Sequence, residues 1–197
     1  MARSKDPILK RCRSLGIEPG YLGYNKKSNK NPKKGNRKVS EYGIQLREKQ
    51  KTKFVYGVSE RQFRRYFDMA SKARGKTGER LLTLLESRLD NVVYRLGFAT
   101  SRAQARMLVT HATFDVNGKK VNIPSYLVKA GDVISVREIK KDNGTIKLNQ
   151  ELNEAAVIPT WLEREKGKLS GKVVREPERE DIEIPIEEHL IVELYSK

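Results

Sequence analysis

The 197-residue chain holds one cysteine, Cys12, and two histidines, His111 and His189. A single cysteine closes no internal disulfide, which agrees with a reducing compartment. Those three side chains are too few for a four-ligand Cys/His zinc site, so no metal is expected. No apolar run approaches the roughly 20 residues that span a bilayer. Met1-Ala2-Arg3-Ser4-Lys5 leads into further charge rather than an apolar signal core, which predicts a soluble, cytoplasmic chain without a membrane partner.

Catalytic signatures are also missing. Ala70-Ser71-Lys72-Ala73-Arg74-Gly75-Lys76-Thr77 resembles a phosphate loop with Ala in place of the first Gly. Such a loop needs a strand before it and a helix after it, so that backbone amides wrap a phosphate. A helical pattern precedes this one, so Gly75-Lys76-Thr77-Gly78 reads as a joint between helices. His111 and His189 have no Ser or Cys nucleophile motif beside them. The sequence predicts no enzyme, no catalytic residue and no cofactor.

What the chain has is positive charge, with 41 Lys/Arg against 25 Asp/Glu, a net of +16. Residues 1–53 carry 16 Lys/Arg and 4 Asp/Glu, a net of +12, and residues 54–139 carry 15 and 8, a net of +7. Residues 140–197 reverse the sign, with 10 against 13. The first two segments suit a polyanion, and the acidic last third suits a protein neighbour or solvent.

Residues 1–40, rich in Gly and Pro with a basic run from Lys26 to Lys34, read as an irregular basic N-terminal arm without helical or strand period. Ser40 to Lys53 predicts a helix in which Arg47 and Lys51, and Lys49 and Lys53, stand four apart and build a cationic ridge. Ser59-Glu60-Arg61-Gln62 has the capping-box pattern, followed by Phe63, Tyr66, Phe67 and Ala70 at helical steps. Arg61, Arg64 and Arg65 fall largely off that apolar stripe. Thr77 to Leu96 predicts one long helix, with Leu81, Leu85, Leu89, Val92 and Leu96 along one side.

A second capping box, Ser101-Arg102-Ala103-Gln104, opens a short helix with Arg102 and Arg106 together on its solvent side. The period then changes to two. Asn117-Gly118 sits between short strands, as a two-residue hairpin turn requires, and Lys119 and Lys120 follow it. Val133–Val136 predicts another strand. Pro159 to Glu163 predicts a short helix with Trp161 as a packing anchor. Ile182, Ile184 and Ile186 alternate like a strand, and His189–Tyr195 is open between strand and helix.

The run Arg88-Leu89-Asp90-Asn91-Val92-Val93-Tyr94-Arg95-Leu96-Gly97-Phe98-Ala99, then Ser101–Arg106 and Val116–Tyr126, resembles the RNA-binding module named after bacterial small-subunit ribosomal protein S4. Leu46–Lys51, Tyr56–Arg64 and the ending Glu188–Tyr195 resemble that ribosomal protein family beyond its module. With only Cys12 near the amino terminus, the chain is similar to the zinc-free branch.

The resemblance implies an α+β fold: a mostly helical domain, an S4 module of two helices followed by a small antiparallel sheet, and the basic arm. The domains would be the arm 1–40, a helical domain 41–87 joined by 176–197, the module 88–140, and its extension 141–175. It also implies a primary assembly protein on the five-prime domain of small-subunit ribosomal RNA at a multi-helix junction. A place where messenger RNA enters, a contact with ribosomal protein S-five that influences decoding accuracy, and self-repression in some members would follow.

The expected RNA contacts are Arg88, Arg95, Arg102, Arg106, Lys119 and Lys120 on the module, with pairing to Glu86, Asp90 or a neighbour as the alternative for Arg88 and Arg95. Arg61, Arg64, Arg65 and the arm residues Lys33, Lys34 and Arg37 would grip adjacent RNA helices. Arg47, Lys49, Lys51 and Lys53 are messenger-path candidates by resemblance, and Glu178, Glu180 and Asp181 are protein-contact candidates. Two rivals use the same module: an RNA-modifying enzyme such as a pseudouridine synthase, and a free-standing RNA chaperone or stalled-ribosome factor.

Overall fold

A computed structural model describes residues 7–26, 30, 39–153, 157–164 and 167–196. Lys33, Lys34 and Arg37 lie outside them. Among the described residues the helices are α1 (Ile8–Leu15), α2 (Glu41–Tyr56), α3 (Glu60–Lys72), α4 (Thr77–Glu86), α5 (Leu89–Arg95), α6 (Arg102–Thr110), α7 (Gly144–Leu152) and α8 (Glu188–Ser196). The strands are β1 (Phe114–Val116), β2 (Lys119–Lys120), β3 (Val133–Val136), β4 (Leu162–Glu163) and β5 (Ser170–Val173). The fold is α+β, and no described helix is long and apolar enough to cross a membrane. Two compact units divide the chain: Met1–Leu82 with Glu183–Lys197, and Thr83–Ile182.

The first unit is helical. Ser40 Oγ accepts a hydrogen bond from Gly43 N at 3.2 Å and caps α2. The predicted Ser59 side-chain cap on α3 does not form, and the Ser59 carbonyl instead accepts from Phe63 N. Phe63, Tyr66 and Ala70 are buried as their spacing predicts. The segment read as irregular contains α1, which buries Cys12 and Leu15, and that reading is corrected. The open question at His189–Tyr195 resolves as helix α8. It packs along α2, where Gln45 Nε2 donates to Glu193 Oε2 at 3.0 Å and Glu187 N donates to Glu48 Oε2 at 3.2 Å. Ile184 and Ile186 are buried at alternate positions, but they form no sheet.

The second unit packs α5 and α6 against an antiparallel sheet of order β2-β1-β3-β5-β4. Phe98, Phe114, Ile134, Ile146 and Trp161 sit at its centre, each at most 1% exposed, and each contributes roughly 2–3 kcal/mol by leaving water. Asn117 (φ +51°) and Gly118 (φ +74°) close the β1–β2 hairpin in the left-handed conformation. Asn117 also fixes the next strand: its Oδ1 accepts from Val133 N at 2.9 Å, and its Nδ2 donates to Asp132 at 2.8 Å.

Two further predicted elements differ. The long helix is interrupted after Glu86, because the backbone at 87–90 is taken up by segment 124–128 instead: Leu89 N donates to Tyr126 O at 2.8 Å, and Val128 N donates to Ser87 O at 2.9 Å. The predicted helix at Pro159–Glu163 is strand β4 at its end, with Leu162 opposite Val173 on β5. Trp161 is the anchor its size suggested.

Candidate nucleic-acid interface

The cations predicted to bind RNA fall into two physical classes, those that face water and those that hold the protein together. On α3, Arg61, Arg64 and Arg65 are exposed, three and four residues apart, on the side opposite buried Phe63, Tyr66 and Ala70. Lys119 and Lys120 form the whole of β2, an edge strand with both residues exposed. Arg47 is exposed on α2.

The four arginines of the module are mostly inward. Arg88 is 0% exposed and forms a bidentate pair with Asp90, its Nε donating to Oδ1 at 3.0 Å and Nη2 to Oδ2 at 2.6 Å. Arg106 reaches the same Oδ2 at 3.1 Å. Arg95 pairs with Glu86 at 3.0 Å. Arg102 is 7% exposed, donates from Nε to Asn91 Oδ1 at 2.8 Å, and stacks over the Tyr94 ring at 4.5 Å.

Buried carboxylates require cationic partners, and Glu86 and Asp90 recruit these arginines for that reason. Arg88 is therefore removed from the candidate contacts. The predicted solvent patch of Arg102 and Arg106 is corrected to an internal network, with Arg106 and Arg95 at its margin. The sequence offered Glu86 and Asp90 as alternative partners of Arg88 and Arg95, and the structure pairs Arg88 with Asp90 and Arg95 with Glu86. Sequence reasoning missed Asn91 and the reach of Arg102 to Asn91 and of Arg106 to Asp90, which spans two helices.

The predicted α2 ridge is also thinner than its sequence. Lys51 is 8% exposed and donates to Glu48 at 2.9 Å. Lys49 and Lys53 both donate to Glu60, at 3.0 Å and 2.5 Å. Desolvation raises the Glu60 pKa, but hydrogen bonds and charge from Lys53 and Lys49 outweigh it and hold the carboxyl at about 2. Tyr195 donates its hydroxyl to Glu60 at 3.1 Å. Its pKa is pushed well up, first by burial and then by the Glu60 charge and hydrogen bond.

Among the acidic candidates, Glu178 and Glu180 are exposed, whereas Asp181 is committed to its own loop. It accepts from Arg175 Nη1 at 2.7 Å and Nη2 at 2.8 Å, from Thr160 Oγ1 at 2.9 Å and from Glu178 N at 2.8 Å. With a side chain 7% exposed, Asp181 positions the loop that presents its neighbours.

Residues 3–86 match the family "Ribosomal protein S4/S9 N-terminal domain", and residues 87–134 match the S4 domain. The small ribosomal subunit protein uS4 of Agathobacter rectalis is 57% identical over 197 residues, covering 100% of both chains. The chain belongs to the small ribosomal subunit protein uS4 family. The uS4 of Lachnoclostridium phytofermentans is 54% identical over 198 residues, and the uS4A of Alkaliphilus metalliredigens is 52% identical over 208, each with full coverage of both chains. This is a family of ribosomal proteins and not of enzymes, and the second unit of the chain contains its RNA-binding S4 domain. That membership sets aside the pseudouridine-synthase and chaperone rivals.

Proposed function

We propose that the chain is a structural constituent of the small subunit of the cytoplasmic ribosome, which holds one folded ribosomal RNA through its phosphates. RNA duplexes hide their base edges in a deep major groove, so recognition by shape and backbone suits cations on rigid supports. The observation that carries this reading is the exposed Arg61, Arg64 and Arg65 row on α3, a helix fixed by its buried aromatic face. Lys119 and Lys120 supply a second contact on the hairpin, and Arg106 and Arg95 contribute from the edge of their network. The arm residues Lys33, Lys34 and Arg37 extend the grip.

The target is a multi-helix junction in the five-prime domain of small-subunit ribosomal RNA, and binding there nucleates assembly. Arg47 of α2 faces incoming messenger RNA at its entrance channel. Glu178 and Glu180 meet ribosomal protein S-five and influence decoding accuracy, and the chain represses its own messenger in the manner of some relatives.

A chemical footprint on naked small-subunit RNA tests the reading. Protection confined to one junction supports it, and diffuse protection sinks it. Neutralising Arg61, Arg64 and Arg65 to Gln should weaken binding by about 100-fold or more in moderate salt and flatten the salt dependence by two to three phosphate contacts, at about −0.9 per contact.

A further inference from the structure

Glu60 stands at the first turn of α3, where an acid is favoured by the helix amides, but its carboxylate is turned to other partners. Oε1 accepts from Lys49 Nζ at 3.0 Å and from the Tyr195 hydroxyl at 3.1 Å, and Oε2 accepts from Lys53 Nζ at 2.5 Å. The acceptor is held from behind, because the Tyr195 ring stacks on Phe67 with centroids 4.4 Å apart and lies 5.2 Å beneath Lys49 Nζ. Lysine ammonium groups normally extend into water. Here the two side chains are only 14% and 15% exposed, while the Glu60 side chain is 49% exposed. A single carboxylate thus draws two cations of the α2 ridge back onto the helical unit and cancels half of their charge.

We propose that Glu60 is a charge mask for α2, withdrawing Lys49 and Lys53 from an RNA strand and leaving Arg47 as the cation that meets it. This rests on the reading of α2 as an RNA-strand contact. The consequence is a strand contact that is weak and only shallowly dependent on salt, because both affinity for a single strand and its salt slope grow with the number of phosphates neutralised. Tyr195 adds one hydrogen bond to a carboxylate that both lysines already hold, and it carries no charge of its own.

The test uses the full-length chain, a fluorescent oligouridylate of about twelve nucleotides, and KCl titrations between about 50 and 300 mM. R47A should weaken binding. E60Q should tighten it about 3- to 10-fold and steepen the slope of log affinity against log salt by about 0.7 for each lysine released. Y195F, which leaves the charge unchanged, should bind within about twofold of the parent chain. K49M/K53M should also stay within about twofold, because its lysines are already masked, and it should erase the gain from E60Q. This double variant keeps the test decisive if E60Q folds poorly.

E60Q at parental affinity and slope, or K49M/K53M weakening binding as much as R47A, overturns the mask while R47A still upholds the α2 contact. If R47A has no effect on strand binding, the reading of α2 fails and the mask with it.

Discussion

Asn91 accepts a hydrogen bond from Arg102 Nε at 2.8 Å while its own amide donates to Glu86, at 2.9 Å to the backbone carbonyl and 2.5 Å to Oε2. One neutral side chain on α5 therefore joins a cation of α6 to the last carboxylate of α4. Truncating it leaves a buried acid and a buried guanidinium each short of a partner, and that penalty is larger than the value of the bonds themselves. N91A should cost about 2–4 kcal/mol in urea unfolding of the full chain. A loss under about 1 kcal/mol would mean the network is not a structural unit.

Gly171 on β5 lies against the end of α5. A methyl group there would stand 2.6 Å from Leu96 Cδ2 and 3.2 Å from the Glu163 carbonyl. G171A should destabilise by about 1–3 kcal/mol through overpacking. Shortening Leu96 to Ala makes room, so the double variant should lose less than the sum of the single losses, and a thermal melt series measures this.

Asp181 ties Arg175 and Thr160 to its own turn. D181A should speed amide hydrogen exchange between residues 174 and 182 and cost about 1–3 kcal/mol, whereas exposed Glu180→Gln should stay within about 0.5 kcal/mol. A defect in partner binding by D181A without faster exchange would show that Asp181 itself touches the partner.

The low pKa of Glu60 gives a signed pH effect. Its folded value of about 2 lies below the ordinary 4.5, so its pairs with Lys49 and Lys53 stabilise the fold above pH 4.5. That support is lost as pH falls toward 2. Tyr195 beside it stays protonated throughout, with Arg64 and Asp68 as the nearby charges. The parent chain should lose its advantage over E60Q across this window, by about 0.5–1 kcal/mol after solvent screening, in urea melts at stepped pH.

Local signals were legible in the sequence wherever one element determined them. The α3 stripe, the Asn117-Gly118 turn and strand β3 follow from spacing and backbone preference alone. The interruption after Glu86 was concealed because Leu81, Leu85, Leu89 and Val92 stay in phase across it, and its cause is the hydrogen bonding of Ser87 and Leu89 to segment 124–128. α1 was not legible: the surrounding Gly and Pro obscured the helical spacing of Ile8, Cys12 and Leu15, which the structure reveals. For the interface, sequence shows which residues are cationic, and the fold decides which of them meet water. Arg88 and Arg61 are alike in the sequence, yet one is enclosed by Asp90 and the other projects from a helix.

The edge strand β2 is two lysines long. Its open backbone could otherwise template a neighbouring copy, and short length with like charge is how natural sheets prevent that. Lys119 and Lys120 thus protect the newly made chain from sheet-to-sheet aggregation before any RNA is at hand. Substituting them should raise turbidity in the RNA-free protein as well as weaken its grip on RNA.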